Sequence, residues 1–189
     1  GYIIVPAGIF DGGSTDNCGI ANMTSSAFVY GCGNIGTHPA TFTVTDLSGN
    51  SSTCNAQITV MDTIPPTVLC RDITVQLDAN GQAQIYSQQV LLSTMDNCGS
   101  VVCTFDTSSL SLHQFDCSHI GVNQVTLTAN DVNGNSSDCQ AQVTVEDNVP
   151  PGIMCQDTTL QIIPGDTVGL SPSDLYSGVM DNCGVDTVT

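Results

Sequence analysis

Lysine is missing from this chain and arginine occurs once, at Arg71, so 18 acidic residues leave a formal net charge of −17. Such a chain cannot neutralise phosphates, which excludes nucleic-acid binding. Uncharged apolar runs of eighteen or more residues are lacking as well, so no membrane span lies within these residues. No basic region leads into an apolar stretch at Gly1, and a secretory signal would lie outside the residues shown. Strong helix formers are scarce while Thr, Val, Ser, Asp and Gly dominate, which predicts an all-β protein. Tryptophan is absent, which excludes a true antibody-type domain.

Ten cysteines at regular spacings point instead to disulfides formed in an oxidising compartment, placing the protein outside the cell or on its surface. The spacing belongs to an internal repeat. Cys32, Cys54 and Cys70 recur 85 positions later as Cys117, Cys139 and Cys155, and Asp46, Gly49, Asn50, Asp62 and Pro65-Pro66 recur with them. Asp16-Asn17-Cys18-Gly19, Asp96-Asn97-Cys98-Gly99 and Asp181-Asn182-Cys183-Gly184 follow at intervals of 80 and 85. The expected division is 1–62, an N-terminally incomplete repeat; 63–147, a complete one; and 148–189, a C-terminally incomplete one. The incomplete ends read as cuts through a longer tandem array. The alternative is completion between neighbouring subunits by strand donation, against which 166–189 and 1–24 occupy the same part of the repeat.

Hydrophobic residues alternate with polar ones wherever a strand can be read: Ile73, Val75, Leu77; Val125, Leu127, Ala129; and Cys139, Ala141, Val143, Val145. The first copy offers Phe42, Val44 and then Cys54, Ala56, Ile58, Val60 as its inward set, and the third offers Leu160 and Ile162. Turns at Asn80-Gly81, Asn133-Gly134, Asp11-Gly12 and Ser48-Gly49 separate such runs. About seven short strands per 85-residue copy predict tandem immunoglobulin-like Greek-key β-sandwiches.

The Pro-Pro entry, a first-strand Cys, Asp-Asn-Cys-Gly, Phe-x-Cys-x-x-x-Gly at 115–121, Ala-Asn-Asp-x-x-Gly-Asn at 129–135 and a last-strand Cys together resemble the hyalin repeat module. The resemblance spans the whole chain and implies an adhesive or architectural extracellular role. Cys103 departs from the pattern, with Met23 and Val188 at its position in the other copies.

Four framework cysteines in the complete copy allow three pairings. A first strand lying beside the last favours Cys70 with Cys139 and Cys98 with Cys117; by homology Cys18 pairs with Cys32, leaving Cys54, Cys155 and Cys183 without partners. Cys98 with Cys139 remains open. Zinc is disfavoured because no Cys-x-x-Cys occurs and His38, His113 and His119 do not recur at the period.

Seventeen Asp against one Glu suits turns and hard cations better than mere solubility. In an immunoglobulin-like sandwich Asp96 and Asp131 lie on loops at the pole that faces the Asp62 linker. Asp147 and Asp181 repeat two of these positions, and Asp16 with Asp46 form the first set. A divalent cation would relieve the repulsion among them, and oxygen-only ligands outside the cell suit Ca²⁺. The competing reading makes Asp46 and Asp131 Asx-turn residues and Asp62 and Asp147 strand terminators. Asn22, Asn50 and Asn135 head N-glycosylation sequons, and Thr63, Thr167 and Thr187 sit in Asp-Thr-aliphatic strings resembling O-glycan acceptors of some bacterial systems.

No carboxylate pair, nucleophile or base stands apart from the repeat pattern, so no catalytic residue is expected. The expected function is a non-enzymatic fibre, surface coat or adhesin stalk whose partners are neighbouring copies of itself. The alternative is a spacer or a glycan- or ligand-binding accessory of a larger secreted protein, with a cell-surface or glycan partner.

Overall fold

The computed structural model describes residues 1–26, 29–105, 111–165 and 167–185. In chain order the strands are β1 (Tyr2–Ile4), β2 (Ile20–Ser25), β3 (Val29–Gly31), β4 (Gly36–Asp46), β5 (Ser51–Val60), β6 (Thr67–Cys70), β7 (Ile73–Gln76) and β8 (Gln82–Tyr86). A single turn of helix, α1 (Ser87–Val90), precedes β9 (Leu91–Met95), β10 (Val101–Phe105), β11 (Leu112–Asp116), β12 (Gly121–Asp131), β13 (Ser136–Glu146), β14 (Gly152–Cys155) and β15 (Tyr176–Met180). The protein is all-β, and among the described residues no helix is long and apolar enough to cross a membrane. Two compact units divide the chain: Gly1–Val68 with Thr94–Val102 and Ala129–Ser137, and Leu69–Ser93 with Cys103–Thr128 and Asp138–Thr189.

In the first unit β2, β4 and β5 form an antiparallel sheet in that order, and β1 pairs with β3. The β4–β5 hairpin runs in unbroken register from Thr45↔Ser51 to Gly36↔Val60. Its turn is closed by Asp46, whose Oδ1 accepts from the backbone N–H of Ser48 at 2.8 Å and of Asn50 at 2.8 Å, with Gly49 at φ +89°. Tyr30, Ala40 and Phe42 are buried. β5 is an edge strand, and for that reason its inward set departs from expectation: Cys54 is exposed and Ala56, Ile58 and Val60 are only half-buried.

The second unit is organised by a four-stranded sheet ordered β10-β12-β13-β7, in which β7 lies parallel to β13 with Ile73↔Val143 to Gln76↔Glu146. β8 pairs with β11, and β14 with β15. Alternation holds on β12 and β13, where Val125, Leu127, Ala129, Ala141, Val143 and Val145 are buried and Cys139 is half-buried; Leu77, Ile85, Val90, Phe105 and Phe115 join the core. Leu160 and Ile162 do not follow it. They belong to no strand and are 42% and 73% exposed, because no described strand covers them.

Three disulfides are formed: Cys70–Cys139, Cys32–Cys98 and Cys117–Cys183. The expected pairs Cys98–Cys117 and Cys18–Cys32 are replaced by bonds between consecutive copies of the repeat, each with a sequence separation of 66. The bonded pairs lie 5.0 Å (Cys32 to Cys98) and 5.3 Å (Cys117 to Cys183) apart, Cα to Cα, within the ordinary range for a disulfide. Cys183 therefore has a partner after all. Cys18, Cys54 and Cys155 are unbonded and exposed, and Cys103 sits half-buried on β10.

Candidate metal centre

Asp62, Asp96 and Asp131 come from the linker after β5, the loop after β9 and the end of β12, all within the first unit. One carboxylate oxygen from each lies within 4.8 Å of the others. Asp131 is only 8% exposed. Its Oδ1 accepts from the N–H groups of Asn133 at 2.9 Å and Asn135 at 2.8 Å, and its Oδ2 from the Asn135 amide at 2.8 Å. Burial alone would raise the Asp131 pKa. The Asn135 side chain and the backbone donors of Asn135, Asn133 and Gly134 outweigh it and hold the carboxyl below its ordinary value.

Asp62 is tied to both loops. The Asn97 amide donates to its Oδ1 at 3.1 Å, the Asn133 amide to its Oδ2 at 3.0 Å, and the Asn135 amide to its carbonyl at 3.2 Å. Asp96 accepts the Cys98 N–H through Oδ2 at 2.7 Å, while its Oδ1 is buried and has no hydrogen-bond partner. A buried, unpartnered carboxylate oxygen among two further carboxylates is a costly arrangement that a bound cation would relieve. Every ligand atom is oxygen, because Cys98 is committed to its disulfide with Cys32. Hard oxygen donors fit Ca²⁺ better than zinc.

Half of this arrangement recurs in the second unit. Asn182 donates to Asp147 Oδ1 at 3.0 Å as Asn97 does to Asp62, and Cys183 N–H donates to Asp181 Oδ1 at 2.9 Å beside the Cys117–Cys183 bond. The Asn182 amide also reaches the Asp78 carbonyl at 3.0 Å, while its own Oδ1 is buried without a partner. Asp16 and Asp46 adopt the Asx-turn role: Asp16 Oδ1 accepts from Cys18 and Gly19 N–H, and Leu47 N–H bonds the Gly19 carbonyl. The Asn50 amide, followed by the Asn50 and nearby backbone donors, keeps Asp46 below its ordinary pKa.

Four asparagines, Asn97, Asn133, Asn135 and Asn182, hold these carboxylates, a role not expected of any of them; Asn135 was expected only as a sequon. Their signal was present, since Asn97 and Asn182 share a repeat position and so do Asn50 and Asn135. Asn50 and Asn135 head sequons, and both amides are engaged by Asp46 and Asp131, so a glycan there would leave each amide a single N–H to donate. Asn22, Thr63 and Thr167 are exposed, and Thr187 lies outside the described residues. His119 caps a turn through Asp116 at 2.8 Å, and the His113 ring lies tilted between those of Phe105 and Phe115. The Arg71 guanidinium donates to the Gln89 carbonyl at 2.7 Å.

Residues 61–145 match the HYR domain family. Hyalin of Strongylocentrotus purpuratus is 32% identical over 169 residues, which cover 84% of this chain and 14% of hyalin, so the chain spans a small part of that relative's length. Among solved structures, the protocadherin gamma B7 extracellular cadherin domains 1–4 align over 86% of this chain and 50% of theirs at 14% identity, with a TM-score of 0.36. Titin domains I67–I69 align over 88% and 74% at 10% identity, with a TM-score of 0.31.

Proposed function

Residues 61–145 are an HYR domain, and from that premise we propose that the chain is part of a non-enzymatic, extracellular structural protein. In this reading successive 85-residue repeats, divided at 62/63 and 147/148, are immunoglobulin-like sandwiches held in line by calcium and disulfides. The sheet order β10-β12-β13-β7, with β7 parallel to β13, supports the sandwich topology. The likeness to hyalin over most of the chain supports an adhesive or architectural role outside the cell. The three disulfides support an oxidising compartment.

The observation that carries the calcium reading is the buried, unpartnered Oδ1 of Asp96 among Asp62 and Asp131. Asp62, Asp96 and Asp131 would hold the ion. Bound there, Ca²⁺ supplies positive charge and irregular oxygen coordination, with an affinity of about 10⁻⁴ to 10⁻³ M for an extracellular module. Asn97 and Asn133 orient the linker carboxylate, and the Cys32–Cys98 bond keeps the loop of Asp96 in place. Asp147 and Asp181 would serve a second site of the same kind, and Asp16 with Asp46 a third.

Thermal unfolding with added calcium tests this. At 10 mM Ca²⁺ the stabilisation expected from that affinity range is about 1.4 to 2.7 kcal/mol. Asp96→Asn removes one charge while leaving an oxygen to accept from Cys98 N–H, so it should stabilise the chelated protein and abolish most of the calcium response. A variant that keeps the full response would refute Asp96 as a ligand.

A further inference from the structure

Four consecutive residues in the loop between β9 and β10 carry the contacts that assemble Asp62, Asp96 and Asp131. Asp96 supplies a carboxylate whose Oδ1 is buried without a hydrogen-bond partner. Asn97 donates from one amide both to Asp62 Oδ1 and to Cys98 Sγ, at 3.1 Å each. Cys98 donates its N–H to Asp96 Oδ2 at 2.7 Å and is bonded to Cys32, whose sulfur lies 3.2 Å from the Asn97 carbonyl. At Gly99 an added Cβ would stand 2.9 Å from Cγ2 of Val132, the residue after Asp131, so the loop packs closely on that neighbour. All of these residues lie within the first unit, and 96–99 belongs to no strand. Cys98 gives the loop a covalent tie at the point where it touches the candidate ligands.

We propose that the Cys32–Cys98 disulfide is a redox switch of the calcium centre. Intact, it holds Asp96 and the Asn97 amide in place before the ion arrives; reduced, it frees the loop, and calcium affinity falls. The physical cause is conformational entropy, since a loop outside any strand must be ordered by the ion unless a crosslink has already ordered it. Both cysteines are half-buried, so a small-molecule thiol can reach the bond. Two such thiols pass two electrons and two protons to the Cys32–Cys98 bond, which opens to two protein thiols while the reductant closes to its own disulfide. Linkage makes the coupling reciprocal: if the bond raises calcium affinity by some factor, saturating calcium makes the bond harder to reduce by the same factor, about 5- to 150-fold for couplings of this kind. Cys70–Cys139 is the internal reference, because each of its cysteines stands eight positions from the nearest candidate ligand. The inference rests on the calcium reading and adds what regulates that site.

The test equilibrates the oxidised full chain in graded ratios of reduced to oxidised dithiothreitol, in saturating Ca²⁺ or in chelator at matched ionic strength. Thiols already open are capped with one alkylating agent beforehand and those released with a second, and peptide mapping then gives the fraction of each disulfide that remains. The expected result is a half-reduction ratio for Cys32–Cys98 that calcium moves about 5- to 150-fold toward stronger reductant, with Cys70–Cys139 unmoved. Asp96→Asn should remove the shift while the bond still forms. Calorimetric titration of the double variant Cys32→Ser with Cys98→Ser should show calcium affinity lowered by the factor of the shift. An equal shift at Cys70–Cys139 would make the effect one of global unfolding and overturn the switch, as would an unchanged affinity in the double variant. A natural chain that binds calcium by calorimetry and shows no shift would overturn the switch and leave the metal centre standing. Absence of calcium binding in the natural chain would remove both.

Discussion

At the scale of single residues, asparagine is the working partner of aspartate. Asn135 contributes one backbone N–H and one amide to Asp131 and a further bond to the Asp62 carbonyl. Asn135→Ala should therefore destabilise the chain by about 1–3 kcal/mol, the cost of leaving a buried acceptor short of donors, measurable by urea unfolding. Sequence reasoning found the aspartates and missed these asparagines, because Asn beside Gly reads as a turn residue and Asn before Ser reads as a sequon. Gly81 carries a second prediction. At φ +71°, an added Cβ would stand 2.5 Å from Cys117 Sγ and 2.8 Å from the Asn182 carbonyl oxygen. Gly81→Ala should lower stability by about 1–3 kcal/mol through overpacking and backbone strain together.

Among the elements, the strands paired on both edges were legible and the edge strands were not. β12 and β13 bury the residues that alternation assigned to them, apart from the half-buried Cys139, because each has a neighbour on either side. β5 carries the same alternation but is paired on one side only, and the stretch around Leu160 carries it outside any described strand; a pattern of residue types cannot report whether a partner strand is present. The disulfides failed in a related way. Within one copy Cys98 and Cys117 are 19 apart, across copies Cys32 and Cys98 are 66 apart, and the two separations together make one 85-residue period. A periodic sequence places the same residue types at both distances, so only geometry separates them. Each loop-closing bond of 66 residues is worth about 4 kcal/mol by chain entropy. Cys32→Ser with Cys98→Ser should lose close to that amount, and should weaken calcium binding as the Asp96 loop is released, both readable in one calorimetric series.

For the whole molecule, charge sets the behaviour. With 18 acidic groups and a single Arg, repulsion is relieved by cations in solution. Asp46, Asp78 and Asp116 are all held below their ordinary pKa of 3.8, by the Asn50 amide, the Gln82 N–H and the Ser118 hydroxyl respectively as the largest causes. A depressed carboxyl contributes stability that is complete above its unfolded value and is lost as pH falls through the folded one. Acid unfolding should accordingly begin near pH 4 and steepen below it, and a melting temperature that rises between pH 4 and 2 would contradict the assignment. Protease resistance follows from the same composition. Trypsin has one site, after Arg71, and Cys32–Cys98 and Cys70–Cys139 both bridge it, so nicked protein should run as one piece until reduced and as two afterwards.

The most direct measurement is a calcium titration of the reoxidised chain by isothermal calorimetry, run beside Asp96→Asn. The account predicts binding in the range of about 10⁻⁴ to 10⁻³ M for the natural sequence and the loss of one site in the variant. No calcium heat in either protein, or identical isotherms in both, would contradict it.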